Sequence, residues 1–201
     1  MRIGIFGGTF NPIHKGHVHI ARAFYRELDL DRLLVIPTHV PVHKMAGNLI
    51  SGEERMELCR LAVRDDPNFE VSGIEVESEE KSYTYTTVKK LRALYPTAEF
   101  FLIMGSDMFL SFHTWYHYRD ILQQVTLCAA ARKDKEQNNL AACARQLTEE
   151  GGRCIVLDLD VIEISSTQLR EKIRRGEDVS GYLDPEVERY IREKRLYQNG
   201  T

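Results

Sequence analysis

Gly7-Gly8-Thr9-Phe10-Asn11-Pro12-Ile13-His14-Lys15-Gly16-His17 decides how this chain is to be read. It follows Arg2-Ile3-Gly4-Ile5-Phe6, a short apolar run that predicts a buried strand ending in a turn. Two glycines directly after a strand let main chain come close to a ligand. Beyond Pro12 a helical pattern covers residues 15–28, with Val18, Ala21, Phe24 or Tyr25, and Leu28 on one face. His14 and His17 are three apart at its start, so their side chains share a face of the first turn. Free amides and the positive end of the helix dipole favour an anion there. Two imidazoles that can each donate a hydrogen bond complete a corner suited to phosphate. A lone histidine near a helix start is more often a cap or a surface residue; the combination of strand, Gly-Gly, Pro and H-x-G-H is what points to a ligand. A zinc site on His14 and His17 would need a carboxylate or cysteine at ligand spacing, and none is near.

Working outward, strand patterns recur at 33–37, 69–72, 99–104, 125–131 and 154–157. Between and after them lie helical patterns. One starts at the Ser51/Glu54 capping box and runs to about residue 64. Others cover 84–95, 167–175 (with Gly176 as a stop) and 185–193, where Asp184-Pro185 supplies a cap and a first-turn proline. Residues 39–50 show no period and read as a loop. Residues 133–146, polar at their start, read as a surface insertion with a helix.

This alternation predicts an α/β fold: a Rossmann-like, doubly wound, mostly parallel sheet with helices on both faces. One domain is expected over 1–201, with a small helical C-terminal extension at roughly 166–197. Ligands of such sheets bind beyond the carboxyl ends of the strands. Attention therefore falls on residues 7–17, 38–44, 105–116 and 165–170.

The 201 residues are 43% apolar and 28% charged, with a net charge of -3. Such a balance excludes general disorder and argues against a bulk nucleic-acid binder. It leaves room for a local basic pocket that takes a phosphorylated small molecule. Cys59, Cys128, Cys143 and Cys154 are scattered with no C-x-x-C pair, against a zinc site or disulfide framework and in favour of a reducing compartment. The first residues do not read as a signal peptide, and no run approaches the roughly 18 apolar residues of a membrane span. A cytoplasmic location is expected, with no nucleic-acid or membrane partner. Interface and core apolar residues cannot be separated by pattern, so a homo-oligomer stays open.

A second motif is Ile164-Ser165-Ser166-Thr167-Gln168-Leu169-Arg170. Serine ahead of a helix is ordinary N-capping. The same hydroxyls and amides, with a guanidinium one turn in, would also suit a polyphosphate.

Together G-G-T-F-x-P-x-H-x-G-H and I-S-S-T-x-L-R resemble the nucleotidyltransferase superfamily. The segments between narrow the likeness. Pro37-Thr38-His39-Val40-Pro41-Val42-His43-Lys44, Ser82-Tyr83-Thr84-Tyr85-Thr86-Thr87-Val88, Gly105-Ser106-Asp107-Met108 with Trp115, and the tail from Tyr182-Leu183 to Tyr197 resemble the bacterial nicotinate mononucleotide adenylyltransferases. The likeness runs from Arg2 to Tyr197. Three positions depart from the family pattern: Val42 for a second proline, Thr86 for aspartate, and Asn11 for a frequent aspartate.

The resemblance implies in-line transfer of AMP from ATP to the phosphate of nicotinate mononucleotide, with Mg²⁺ on the ATP phosphates and no dedicated metal cage. It assigns ATP to Gly7, Gly8, Thr9, Phe10, His14, His17, Gly105, Arg132, Ser165, Ser166 and Arg170. His14, His17, Lys44 and Arg170 would carry the chemistry, and Lys44 would sit between the two substrates. On the acceptor side it implies Trp115 stacking on the pyridine ring, main-chain amides near Thr84 and Tyr116 holding the carboxylate, Asp107 at the ribose, and Tyr83 and Lys44 among the residues that bind the mononucleotide. His113 and His117, four apart, read as surface residues rather than a metal pair. Rival readings are a phosphopantetheine adenylyltransferase or cytidylyltransferase, and a nucleotide-binding regulator without activity. The Ser82-Tyr83-Thr84 and Asp107/Trp115 segments argue against the first, and an intact His14/His17/Lys44/Arg170 set against the second. Neither G-x-G-x-x-G nor G-x-x-x-x-G-K-[ST] is present, which disfavours a dehydrogenase-type or P-loop site.

Overall fold

The computed structural model describes residues 1–39, 49–78, 81–132, 137–160 and 162–198. In chain order the elements are β1 (Arg2–Gly8), α1 (Lys15–Glu27), β2 (Arg32–Pro37), α2 (Gly52–Val63) and β3 (Phe69–Val71). Then come α3 (Thr84–Leu94), β4 (Glu99–Gly105), α4 (Ser106–Leu110), α5 (Tyr118–Leu122) and β5 (Thr126–Arg132). The chain ends through α6 (Gln137–Glu149), β6 (Arg153–Leu159), α7 (Ser166–Arg174) and α8 (Pro185–Glu193).

The strands form one sheet in the order β3-β2-β1-β4-β5-β6. Every neighbouring pair is parallel, so the sheet is parallel throughout rather than mostly so. Alternation along the strands sends side chains to two apolar layers. Phe6, Leu33, Val35, Phe101 and Ile103 meet α1, α2, α7 and α8 through Phe24, Leu58, Leu169 and Ile191. Ile3, Ile5, Leu34, Leu102 and Leu127 meet α3, α4, α5 and α6 through Val88, Phe109, Ile121 and Leu140. With both faces covered, the strands have to be continuously apolar, and Phe100 to Met104 of β4 are all buried.

The strand order reverses between β1 and β4. Their carboxyl ends, Gly8 and Gly105, therefore open onto the crevice where sheets of this kind take ligands.

Two sequence expectations need correction, and the reading of His113 and His117 as exposed residues holds. The stretch at 133–146 is not an insertion: α6 is the crossover between β5 and β6, and Leu140 and Leu147 are buried in the second layer. It looks polar because only a narrow stripe of α6 is apolar. The helices α4 and α5, five residues each, were not anticipated, being too short to show a period. Between them a single 3₁₀ turn, Phe112–Thr114, carries His113, whereas His117 takes the left-handed conformation (φ 53°) ahead of α5. The two histidines therefore never share a helix face. His117 Nδ1 lies 2.7 Å from Asp120 Oδ2 instead.

Candidate active site

The turn after β1 is shaped by its own residues. Gly7 is exposed, and a Cβ there would meet only the Ile36 carbonyl at 4.0 Å. At Gly105 a Cβ would meet nothing within 4 Å. Both glycines thus leave open space at the strand ends, where a ligand can reach main chain. Phe10 sits at φ 47°, in the left-handed region. Its buried ring packs edge-on to His17, with centroids 5.2 Å apart. The Asn11–Pro12 peptide is cis.

His14 caps α1 and pairs with His17 in a reciprocal box. His17 N–H donates to His14 Nδ1 at 3.4 Å, and His14 N–H donates to His17 Nδ1 at 3.3 Å. The motif is a capping box with imidazoles in place of Ser and Glu. Its chemical consequence is a fixed tautomer. A ring nitrogen that accepts a hydrogen bond carries no hydrogen itself, so in both rings the hydrogen sits on Nε2. Burial reinforces this at His14, whose imidazole is held down at about 4 from the ordinary 6.5 by loss of solvation. Near neutral pH it is an uncharged N–H donor. Gly16 suits the same geometry, since a Cβ there would lie 3.0 Å from His14 Nδ1 and 3.2 Å from the Ile162 carbonyl, and these neighbours would have to give way.

The expectation of free amides at the start of α1 holds only in part. Lys15 N–H donates to the Tyr182 carbonyl at 2.8 Å, and His17 N–H is used by His14. The anion corner therefore rests mainly on the two imidazoles and the helix dipole.

The late motif docks onto the early one. Ser166 Oγ donates to the Pro12 carbonyl at 2.9 Å, and Arg170 Nη1 donates to the Asn11 carbonyl at 2.8 Å. Ser165 is the N-cap of α7 in a capping box with Gln168. Arg170 Nη2 also donates to Thr167 Oγ1 at 3.2 Å. These bonds take two of the five guanidinium N–H groups and leave three. Tyr197, buried near the chain end, donates its hydroxyl proton to Asn11 Oδ1 at 2.9 Å. Burial pushes its phenol up, so it stays protonated as a donor.

The residues that the resemblance assigns to the acceptor lie after β4 and at the start of α3. Asp107 is exposed in the first turn of α4, directly after Gly105. Trp115 is half-buried, its ring 5.3 Å from that of Phe112. Exposed Tyr116 packs against Tyr83 at 4.7 Å. Tyr83 is the N-cap residue of α3 and makes no side-chain cap bond, which leaves the positive end of α3 without a protein acceptor from that side chain. Ser82 Oγ accepts from His39 N–H at 2.8 Å, joining this segment to the loop after β2. Lys44 lies outside the described residues, as does the side chain of Arg132, whose main chain ends β5.

Three residues that hold the site together are given no role by the sequence: Asn11 and Tyr197, which belong to the family-like segments, and Arg55. Arg55 is 1% exposed, and all its hydrogen bonds go to main-chain carbonyls around the site. A charged residue in the second turn of a helix ordinarily reads as its wet face, so only the tertiary fold reveals it.

Comparison with known proteins follows the same lines. Residues 5–172 match the model of the cytidylyltransferase-like family. A relative in Exiguobacterium sibiricum, named "probable nicotinate-nucleotide adenylyltransferase", is 38% identical over 198 residues, covering 98% of this chain and 99% of its own. One of the same name in Geotalea daltonii is 35% identical over the whole of both chains. Among solved structures, Plasmodium falciparum nicotinic acid mononucleotide adenylyltransferase complexed with NaAD superposes with a TM-score of 0.79 at 18% identity, over 98% of this chain and 97% of that one. The same enzyme complexed with APC gives 0.77, covering 98% and 96%. These likenesses confirm the fold, and the full-length relatives settle the family: the chain belongs to the cytidylyltransferase-like family, among the nicotinate-nucleotide adenylyltransferases.

Proposed function

We propose that the protein transfers the adenylyl group of ATP to the phosphate of nicotinate mononucleotide, giving nicotinate adenine dinucleotide and pyrophosphate in NAD biosynthesis. The observation that carries this reading is the union of two distant motifs at the switch point of the sheet. Ser166 and Arg170 dock on the loop that presents His14 and His17 at the β1 end, while the chain after the adjacent β4 carries Trp115 and a Tyr116 packed on Tyr83. The first set suits a polyphosphate and the second a flat, charged ring. The names of the relatives, and the NaAD and APC in the Plasmodium structures, support the same pairing.

The chemistry is a direct displacement. A phosphate oxygen of the mononucleotide attacks the α-phosphorus of ATP. The bond from that phosphorus to the oxygen bridging to the β-phosphorus breaks, and pyrophosphate leaves with the electron pair. Such transfer asks the protein for position and charge stabilisation rather than covalent chemistry. Main chain at Gly7, Gly8, Thr9, Phe10 and Gly105 approaches ATP. The Nε2–H groups of His14 and His17 donate to its phosphates, with His17 nearest the charge that develops. The Ser166 main-chain amide and the remaining N–H groups of Arg170 hold the β- and γ-phosphates, with Ser165 fixing that helix start through Gln168. Arg132 serves the ATP side, and Lys44 neutralises charge between the substrates. Trp115 stacks on the pyridine ring. The α3 N-terminus near Thr84, with Tyr83 and Tyr116, takes the carboxylate. An anion gains from a helix start where an amide does not, which favours nicotinate over nicotinamide. Asp107 receives the ribose hydroxyls.

Mg²⁺ enters with ATP, bound by its phosphates and water. Among the described residues no group of three or more His, Cys, Asp or Glu is placed to hold a metal ion. Residues 1–201 act as one domain, since α7 and the tail bond directly to the N-terminal loop. The four free cysteines suit the cytoplasm, and no helix among the described residues is long and apolar enough to cross a membrane.

Direct transfer is tested with ATP labelled at the α-phosphate. The label should pass into the dinucleotide, with none retained on acid-denatured protein. Label trapped on the protein in amounts matching the enzyme would contradict it.

A further inference from the structure

Arg55 projects from the second turn of α2 into the interior, where it is 1% exposed. Its Nη1 donates to the Thr9 carbonyl at 3.0 Å, its Nη2 to the His39 carbonyl at 3.0 Å and its Nε to the Ile50 carbonyl at 3.3 Å. A buried guanidinium is costly unless its donors are satisfied, and here main chain satisfies them. The opposite charge nearby is that of Glu75, itself buried, but its Oε1 accepts from Thr87 Oγ1 at 2.7 Å.

The three carbonyls belong to three places. Thr9 is in the turn after β1. His39 follows β2, and Ile50 precedes α2. The last two flank the segment that contains Lys44 in the sequence. Other bonds confirm that these roots are anchored: His39 N–H to Ser82 Oγ at 2.8 Å, and Ile50 N–H to Asn11 Oδ1 at 3.4 Å. One rigid, forked cation thus ties the ATP-side turn to both ends of the neighbouring segment. A neutral side chain has too few donors for this, and lysine lacks the planar fork.

We infer that Arg55 is a positioning residue for the transfer, fixing the main chain of Thr9 against that of His39 and Ile50. This rests on the adenylyl-transfer reading for its kinetic arm only. Misplacing reacting groups costs rate more than affinity. R55A should therefore lower kcat about tenfold or more, with the KM of each substrate changed less than threefold. Millimolar guanidinium should restore a large part of that kcat while leaving the wild type unaffected. R55K, which keeps the charge but not the fork, should stay slow. A wild-type kcat in R55A, or loss without guanidinium rescue in a variant whose circular dichroism is native, would overturn the proposal. Should R55A not fold, R55K decides by the same kcat against KM split. Hydrogen exchange provides the arm that needs no substrate: peptides covering residues 7–11 and 49–55 should exchange faster in R55K than in wild type. Equal exchange would overturn the inference, whereas a wild type inactive with nicotinate mononucleotide would sink the reaction and leave this arm readable.

Discussion

The rings of His14 and His17 stack with centroids 3.6 Å apart, and each Nδ1 accepts the other residue's main-chain N–H. One local device thus starts α1 and fixes both tautomers, with the hydrogen of each ring on Nε2.

Loss of His17 removes a donor aimed at developing charge. His17→Ala should cut turnover about 10²-fold or more, with an unchanged circular dichroism spectrum. Turnover at the wild-type level would take His17 out of the mechanism.

His14 makes stability depend on pH with a definite sign. Its imidazole titrates at about 4 in the fold and at 6.5 when exposed. Its contribution is complete above 6.5 and is lost as pH falls from there towards 4, by about 3 kcal/mol. Asparagine can still cap a helix but does not titrate. Melting curves of His14→Asn should therefore fall less steeply than wild type between those limits. Parallel curves would show that the buried imidazole is not the source.

Gly105 separates ligand space from folding. Its φ of -74° suits alanine, and a Cβ would meet no atom of the protein within 4 Å. Gly105→Ala should leave the melting temperature unchanged or raise it, by roughly 0.5 kcal/mol of stability, while raising the KM of ATP. A variant with lowered stability and unaltered KM would show that the space at the β4 end is not occupied by substrate.

Trp115 tests the division between the two substrates. Trp115→Ala should raise the KM of the mononucleotide much more than that of ATP, because it removes the stacking surface on the acceptor side only. Equal effects on both would undo the assignment.

The fold and the ligand corner were legible because their causes are local. Gly7-Gly8 and His14-Lys15-Gly16-His17 encode a turn and a helix start within eleven residues, and the central strands β1, β2, β4 and β5 are apolar on both faces. What escaped is what depends on distant partners. Arg55 reads as a wet helix residue until the carbonyls of Thr9, His39 and Ile50 converge on it. Tyr197 acquires a role only because Asn11 Oδ1 lies 186 residues away in sequence and 2.9 Å away in space. The misreading of α6 has a simpler origin: two buried leucines, seven apart, make too thin a stripe to mark a core helix.

The most direct test measures pyrophosphate release from MgATP with nicotinate mononucleotide, beside nicotinamide mononucleotide and phosphopantetheine. The account predicts rapid release with the nicotinate acceptor, far slower release with the nicotinamide one and none with phosphopantetheine. Release with phosphopantetheine alone, or none with any acceptor, would contradict it.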